Sequence, residues 1–175
     1  MIGTWLIGED GRLQGALALL YSSLTGIPEA RLKTLIFRFN ARQKNKAETW
    51  GVNRIRINPE AYPNADDPQW IGTLAHELTH EYDYYKSKLP DFIIRFFDQC
   101  GIKFRQYILR MPHEKAYQSS PLEKRAFASQ KVVMDFVNKY SVQKILSNPS
   151  ISESEKISLM RNLIEKESLL NCRGD

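Results

Sequence analysis

The run His76-Glu77-Leu78-Thr79-His80 limits this chain more than any other stretch. On an α-helix, histidines four residues apart share a face, one a turn above the other. Two imidazoles placed so can reach one zinc ion at about 2.0–2.1 Å. Glu77 then points beside them, close enough to accept a proton from water held by the metal without being a ligand itself. The chain has 3 histidines, and a shuffled chain of this composition would match the pattern in about two cases per thousand, so the spacing carries information. The flanking residues predict a helix independently. Asp67-Pro68 supplies an N-cap and a first-turn proline, and Ile71, Leu74, Leu78, Tyr82 and Tyr85 recur at helical spacing, predicting a buried face separate from the histidines. The helix is expected from about Pro68 to Lys86. Asp83 shares the histidine face and is a candidate to orient an imidazole N–H.

A catalytic zinc takes three protein ligands and keeps one position open, so a further donor is required downstream. His113, Glu114 and Glu123 are the candidates. Glu123 is preferred, because Pro121-Leu-Glu123-Lys-Arg-Ala126-Phe-Ala128 reads as the opening of a helix whose small Ala126 permits close approach to the motif helix. His113 is the alternative.

Around this motif the chain reads as strands early and helices later. The first 25 residues predict a helix with Leu13, Leu17, Leu20 and Leu24 on one face, ended by Gly26-Ile-Pro28. Leu35, Phe37 and Phe39, then Val52, Ile55 and Ile57, alternate with polar or outward positions and predict two strands separated by a polar loop from Arg42 to Glu48. Asn58-Pro59 and Pro63-Asn64 end the second strand. Helical patterns follow at Asp91 to Cys100 and Ile102 to Leu109, divided by Gly101, then a loop from Met111 to Ser120 and a helix from Pro121 to about Tyr140. A capping box, Ser152-x-x-Glu155, opens a last helix that turns Ile157, Met160, Leu163, Ile164 and Leu170 inward. Phe92, Phe96 and Phe97 are assigned to the core by default. The expected fold is α+β: a small early β-sheet packed on the motif helix, then a mostly helical C-terminal half, in a single domain over 1–175.

Hydrophobic residues make up 42% and charged residues 26%, which excludes a disordered or low-complexity chain. No apolar run approaches the roughly 18–20 residues of a membrane span, and the apolar run after Gly15 has no basic leader. The expectation is cytoplasmic synthesis, with leaderless export open and no membrane partner. Cys100 and Cys172 are expected to be reduced and structural. The net charge of +5 is uneven, with eight basic residues between Arg31 and Arg56 against Glu48 alone.

The Leu74-Ala-His76-Glu-Leu-Thr-His80 run, with Arg54-Ile-Arg-Ile-Asn58 before it and Pro121-Leu-Glu123-Lys-Arg-Ala126 after it, resembles the zincin metallopeptidases of the H-E-x-x-H plus glutamate (gluzincin) type. It is similar to bacterial metallopeptidase domains associated with contractile injection systems and toxins. The Asp83-Tyr84 pair resembles the lethal-factor-like domains. The resemblance spans about Arg54 to Gln130. It implies a zincin-like fold and zinc held by His76, His80 and Glu123. It also implies Glu77 as general base, Tyr117 as a donor to the oxyanion, and hydrolysis of a peptide or protein substrate as a zinc-dependent endopeptidase. It further implies that the strand before the helix, Val52 to Asn58, carries substrate along an exposed edge, with Arg54 and Arg56 favouring acidic sequences. Thr79 stands where many relatives have Gly, and Phe127 where thermolysin-type members place an Asp. The metzincin pattern needs Gly at 83 and His at 86, and this chain has Asp83 and Lys86. Two rival readings stand beside the enzyme: a zinc-binding, non-catalytic partner-binding module on the same fold, and a nucleic-acid-associated protein using the basic 31–56 segment with Phe37, Phe39 and Trp50.

Overall fold

The computed structural model describes residues 5–49, 53–61 and 67–171. Trp50, Val52, Pro63, Asn64 and Cys172 lie outside the described residues, as does the side chain of Leu170. In chain order the elements are α1 (Gly15–Thr25), α2 (Glu29–Leu32), β1 (Ile36–Phe39), β2 (Ala47–Thr49), β3 (Arg54–Ile57), α3 (Gln69–Ser87), α4 (Asp91–Tyr107), α5 (His113–Gln118), α6 (Pro121–Tyr140), α7 (Val142–Leu146) and α8 (Glu153–Asn171). The fold is α+β, mostly helical with one small sheet.

The local signals act where they stand in the sequence. Gly26 closes α1 at φ 72°, the left-handed conformation glycine adopts without penalty, and its N–H donates to the Ser22 carbonyl. The Ser152 N–H donates to the Glu155 carboxylate at 2.8 Å and the Glu155 N–H to the Ser152 hydroxyl at 3.3 Å, the reciprocal capping box that opens α8. The neighbouring Glu153 reaches across to accept the Ala16 N–H at 2.8 Å, satisfying a free donor in the first turn of α1.

Several short elements depart from the sequence reading. Leu13 lies ahead of α1, in a bridge with Ile7. The end of the segment read as a polar loop falls in β2, whose three residues are too few to show an alternation although Ala47 and Thr49 are buried. Gly101 does not divide a helix; α4 runs through it, since a lone glycine costs only about 1 kcal/mol in a helix. The expected loop from Met111 to Ser120 holds α5. The sheet order is β1-β3-β2, with β1 parallel and β2 antiparallel to β3. The strand before the motif helix is therefore central, paired on both sides, and has no exposed edge for a substrate. The edge strand packed on α3 is β2.

One buried cluster joins Leu17 and Tyr21 of α1, Ile55 and Ile57 of β3, Trp70, Ile71, Leu74 and Leu78 of α3, and Val133 and Phe136 of α6. Met160 of α8 belongs to it, with Ile157, Leu163 and Ile164 packed alongside. The buried face of α3 is as predicted except at its end, where Tyr82 is half-buried and Tyr85 is exposed beneath the Arg31 guanidinium, 4.1 Å from the ring centre. Arg31 also forms an ion pair with Glu81, which is fully buried and accepts the Asn53 N–H at 3.1 Å. Helices α3 and α6 lie close together: a Cβ on Gly72 would fall 2.7 Å from the Met134 side chain, and Ala126 is fully buried. Cys100 is exposed rather than structural, and Phe92, Phe96 and Phe97 are exposed rather than core. Phe37 is buried in the core, as an aromatic packing residue, while Phe39 is half exposed. Among the described residues no helix is long and apolar enough to cross a membrane.

Candidate metal centre

Three donors converge where α3 meets the first turn of α6. The two Nε2 atoms of His76 and His80 lie 3.1 Å apart. Glu123 places Oε2 3.3 Å from His76 Nε2 and Oε1 3.5 Å from His80 Nε2. Donors at 2.0–2.1 Å from a tetrahedral zinc are separated by about 3.4 Å, so the observed spacings fit one ion with little adjustment. These residues could hold a metal ion. The outer Nδ1 atoms of both histidines are buried without a hydrogen-bond partner among the described residues. His113 and Glu114, the other candidate ligands, are exposed at the start of α5 and belong to no such group.

The packing of α3 on α6 explains the convergence. Gly72 and Ala126 remove side-chain bulk between the helices, and Pro121 starts α6 so that Glu123 falls in its first turn. His80 and Glu123 are buried, and His76 is nearly so. Burial alone would raise the Glu123 carboxyl, but hydrogen bonds from His76, His80 and Tyr117 outweigh it and hold the group at about 2. Burial acts to lower His80, while its bond to Glu123 and the charges of Glu77, Glu123 and Asp83 raise it above its ordinary value. The cluster therefore carries negative potential suited to a cation.

The tertiary fold adds neighbours with no adjacent motif. Thr49 of β2 donates its N–H (2.7 Å) and hydroxyl (2.9 Å) to Oε2 of Glu77, and the same hydroxyl lies 2.9 Å from the Glu77 carbonyl. Arg95 of α4 donates to the Thr49 carbonyl and sits 5.3 Å over the Tyr84 ring. Tyr84 in turn stacks on His80 with ring centres 6.4 Å apart. Phe127 packs against the His76 ring in a T-shaped contact with ring centres 4.8 Å apart, an apolar neighbour where thermolysin-type members place an Asp. Tyr117 of α5 hydrogen-bonds Glu123, and burial followed by that bond pushes its hydroxyl well above the ordinary value. Thr49, Arg95, Tyr84, Tyr117, His80, Glu77 and Glu123 share a cavity of about 380 Å³.

Asp83 does not take the role expected of it. Its carboxylate pairs with Arg125 of α6 at 2.7 Å, and neither imidazole Nδ1 has a hydrogen-bond partner among the described residues. Arg125 takes the contact, and Asp83 acts on His80 through its charge. Of the residues missed by sequence reading, Thr49 had no signal, since the three residues of β2 are too few to show a period. Arg95 had none, since its partner is 46 residues away.

In comparisons with known proteins the chain matches no family model, no curated protein and no solved structure.

Proposed function

We propose that the protein is a zinc-dependent endopeptidase of the zincin type, with His76, His80 and Glu123 holding the ion and Glu77 as general base. The observation that carries this reading is the spacing of 3.1, 3.3 and 3.5 Å among the three donor atoms, with the Glu77 carboxylate on the next helical position. Two imidazoles and a carboxylate suit zinc. When bound, zinc supplies a Lewis acid that polarises a scissile carbonyl and makes water more acidic.

The remaining work falls to the chain's own groups. Both Thr49 bonds are made to Oε2 of Glu77, which leaves Oε1 to take a proton from the attacking water and return it to the leaving amine. Tyr117 lines the same cavity as Glu77 and Glu123, and its single O–H, released from Glu123 when that carboxylate takes the ion, would donate to the developing oxyanion. Substrate is held at β2. The Lys46 carbonyl is spent on the Asn58 N–H at 2.8 Å, so by the alternation of an antiparallel ladder Ala47 and Thr49 turn their backbone groups away from β3. Thr49 has already committed its pair to Glu77 and Arg95. Ala47 is the position at which an extended peptide would add its hydrogen bonds.

The test is zinc analysis together with hydrolysis of unfolded casein. Wild type should carry about one zinc per chain and cleave. Glu77→Gln should keep the metal and lose about 10²–10⁴-fold in rate. Equal rates for the two proteins would remove the hydrolase reading. Zinc retained by a wild type that cleaves nothing would leave the partner-binding module.

A further inference from the structure

Helix α4 is amphipathic in the reverse sense to a helix on a protein core. Its polar residues face inward: Arg95 binds the Thr49 carbonyl, Asp98 accepts from the Ser120 hydroxyl, and Arg105 lines a cavity beside the helix whose wall Ile94 and the edge residue Phe97 share. Only Ile102 on that face is a buried apolar residue. Phe92, Phe96, Phe97, Phe104, Tyr107 and Ile108 face out, each between 56% and 68% exposed. A helix of 17 residues is about 25 Å long, so these side chains form one continuous apolar strip rather than scattered surface groups.

We infer that this outward face of α4 docks on an anionic membrane surface. The charges around the strip choose the occupant. Lys88 stands at one end and Arg110 at the other, both exposed and both in the left-handed conformation that ends a helix. Lys103 is exposed beside the strip, its ammonium 5.5 Å over the Tyr107 ring. Of the helix's acids, Asp98 is turned inward onto Ser120, and Asp91 occupies the first position of the helix. The rim is thus cationic around a phenylalanine-rich face, the pattern of a helix lying in the plane of the lipid interface. Cations in that position gain from anionic headgroups, and aromatic rings settle at the headgroup level. A second copy of the chain would bring the same lysines and arginine against each other. The expectation of no membrane partner rested on the lack of a spanning segment, which does not bear on a helix that lies flat. The inference does not depend on the metal; the polar side of α4, and with it the cavity holding Arg95, stays on the side of the helix turned away from the headgroups.

The experiment is flotation of the full chain with vesicles of phosphatidylcholine alone and with phosphatidylserine added. Binding should require phosphatidylserine and weaken as salt is raised. Phe96→Ser with Phe104→Ser should reduce binding at least about tenfold, and Lys103→Ala about fivefold. Both variants change exposed residues and should keep the wild-type circular dichroism and melting temperature. Glu123→Ala should bind vesicles as wild type does, which separates this result from the peptidase reading. No flotation with phosphatidylserine vesicles at low salt would overturn the inference, as would equal binding to both vesicle types. Concentration-dependent self-association that the phenylalanine variant abolishes, without vesicle binding, would assign the face to a second copy and overturn it too.

Discussion

Helices α3 and α4 flank the same cavity with opposite logic. Helix α3 buries Trp70, Ile71, Leu74 and Leu78 in the core and turns Glu77 and His80 to the cavity. Helix α4 turns Arg95, Asp98 and Gln99 to the cavity and leaves its phenylalanines outside. One wall is anchored by apolar packing and holds its donors within tenths of an ångström of metal-binding separations. The other is anchored by polar contacts that water can replace. Placement of ligands demands the first kind of wall, and a surface that meets a changing environment can use the second.

The sharpest break of this comparison is at the ligand cluster. Glu123→Ala should weaken zinc binding by at least about a hundredfold, since one of three protein donors is gone, while His113→Ala leaves it unchanged; competition with a chelating dye measures both. Loss with His113→Ala alone would move the third ligand. Next come matched truncations in the two walls. Leu74→Ala removes a fully buried side chain and should cost about 2–5 kcal/mol, whereas Phe96→Ala should fall within about 0.5 kcal/mol of wild type. Urea unfolding checks the pair, and equal costs would erase the distinction between α3 and α4.

A smaller effect is expected at Gly72, where an added methyl meets Met134 at 2.7 Å. The overpacking cost of about 1–3 kcal/mol is offset by about 1 kcal/mol of helix propensity, so Gly72→Ala should destabilise modestly and lower zinc affinity as α3 and α6 are forced apart. The same scaffold side gives the smallest prediction. Hydrogen bonds from Lys139 and then Tyr140 hold the Glu167 carboxyl below its ordinary 4.5. A depressed carboxyl stabilises above its unfolded-state value and loses that contribution as pH falls through its folded one. Melting temperatures should therefore converge between wild type and Glu167→Gln on acidification below pH 4.5 and separate slightly above it.

What could be read in advance divides along the range of the forces involved. The motif helix, the start of α6 and the cap of α8 were legible because caps, prolines and 3.6-residue spacing act within a few residues of themselves. Glu123 was legible as a helix-opening carboxylate next to small residues, and the fold joins it to the histidines. Strand β2 was not, because three residues in a basic stretch carry no period. The role of Asp83 was misread for a related reason: spacing puts it on the histidine face, but Arg125 from another helix takes its carboxylate. The phenylalanines of α4 were assigned inward because apolar residues usually are, and periodicity finds an amphipathic helix without saying which side faces the protein.

By itself the sequence determined that one helix would carry His76 and His80 on a common face with Glu77 beside them, since the N-cap, the first-turn proline and the 3.6-residue apolar spacing all call for a helix there. Tertiary structure decided the rest: that Glu123 completes the cluster, that β2 rather than β3 is the free edge, and that Thr49 and Arg95 join the cavity. Those contacts span from 28 to 47 residues of chain, and a distance of that kind is closed only when the core between the elements packs.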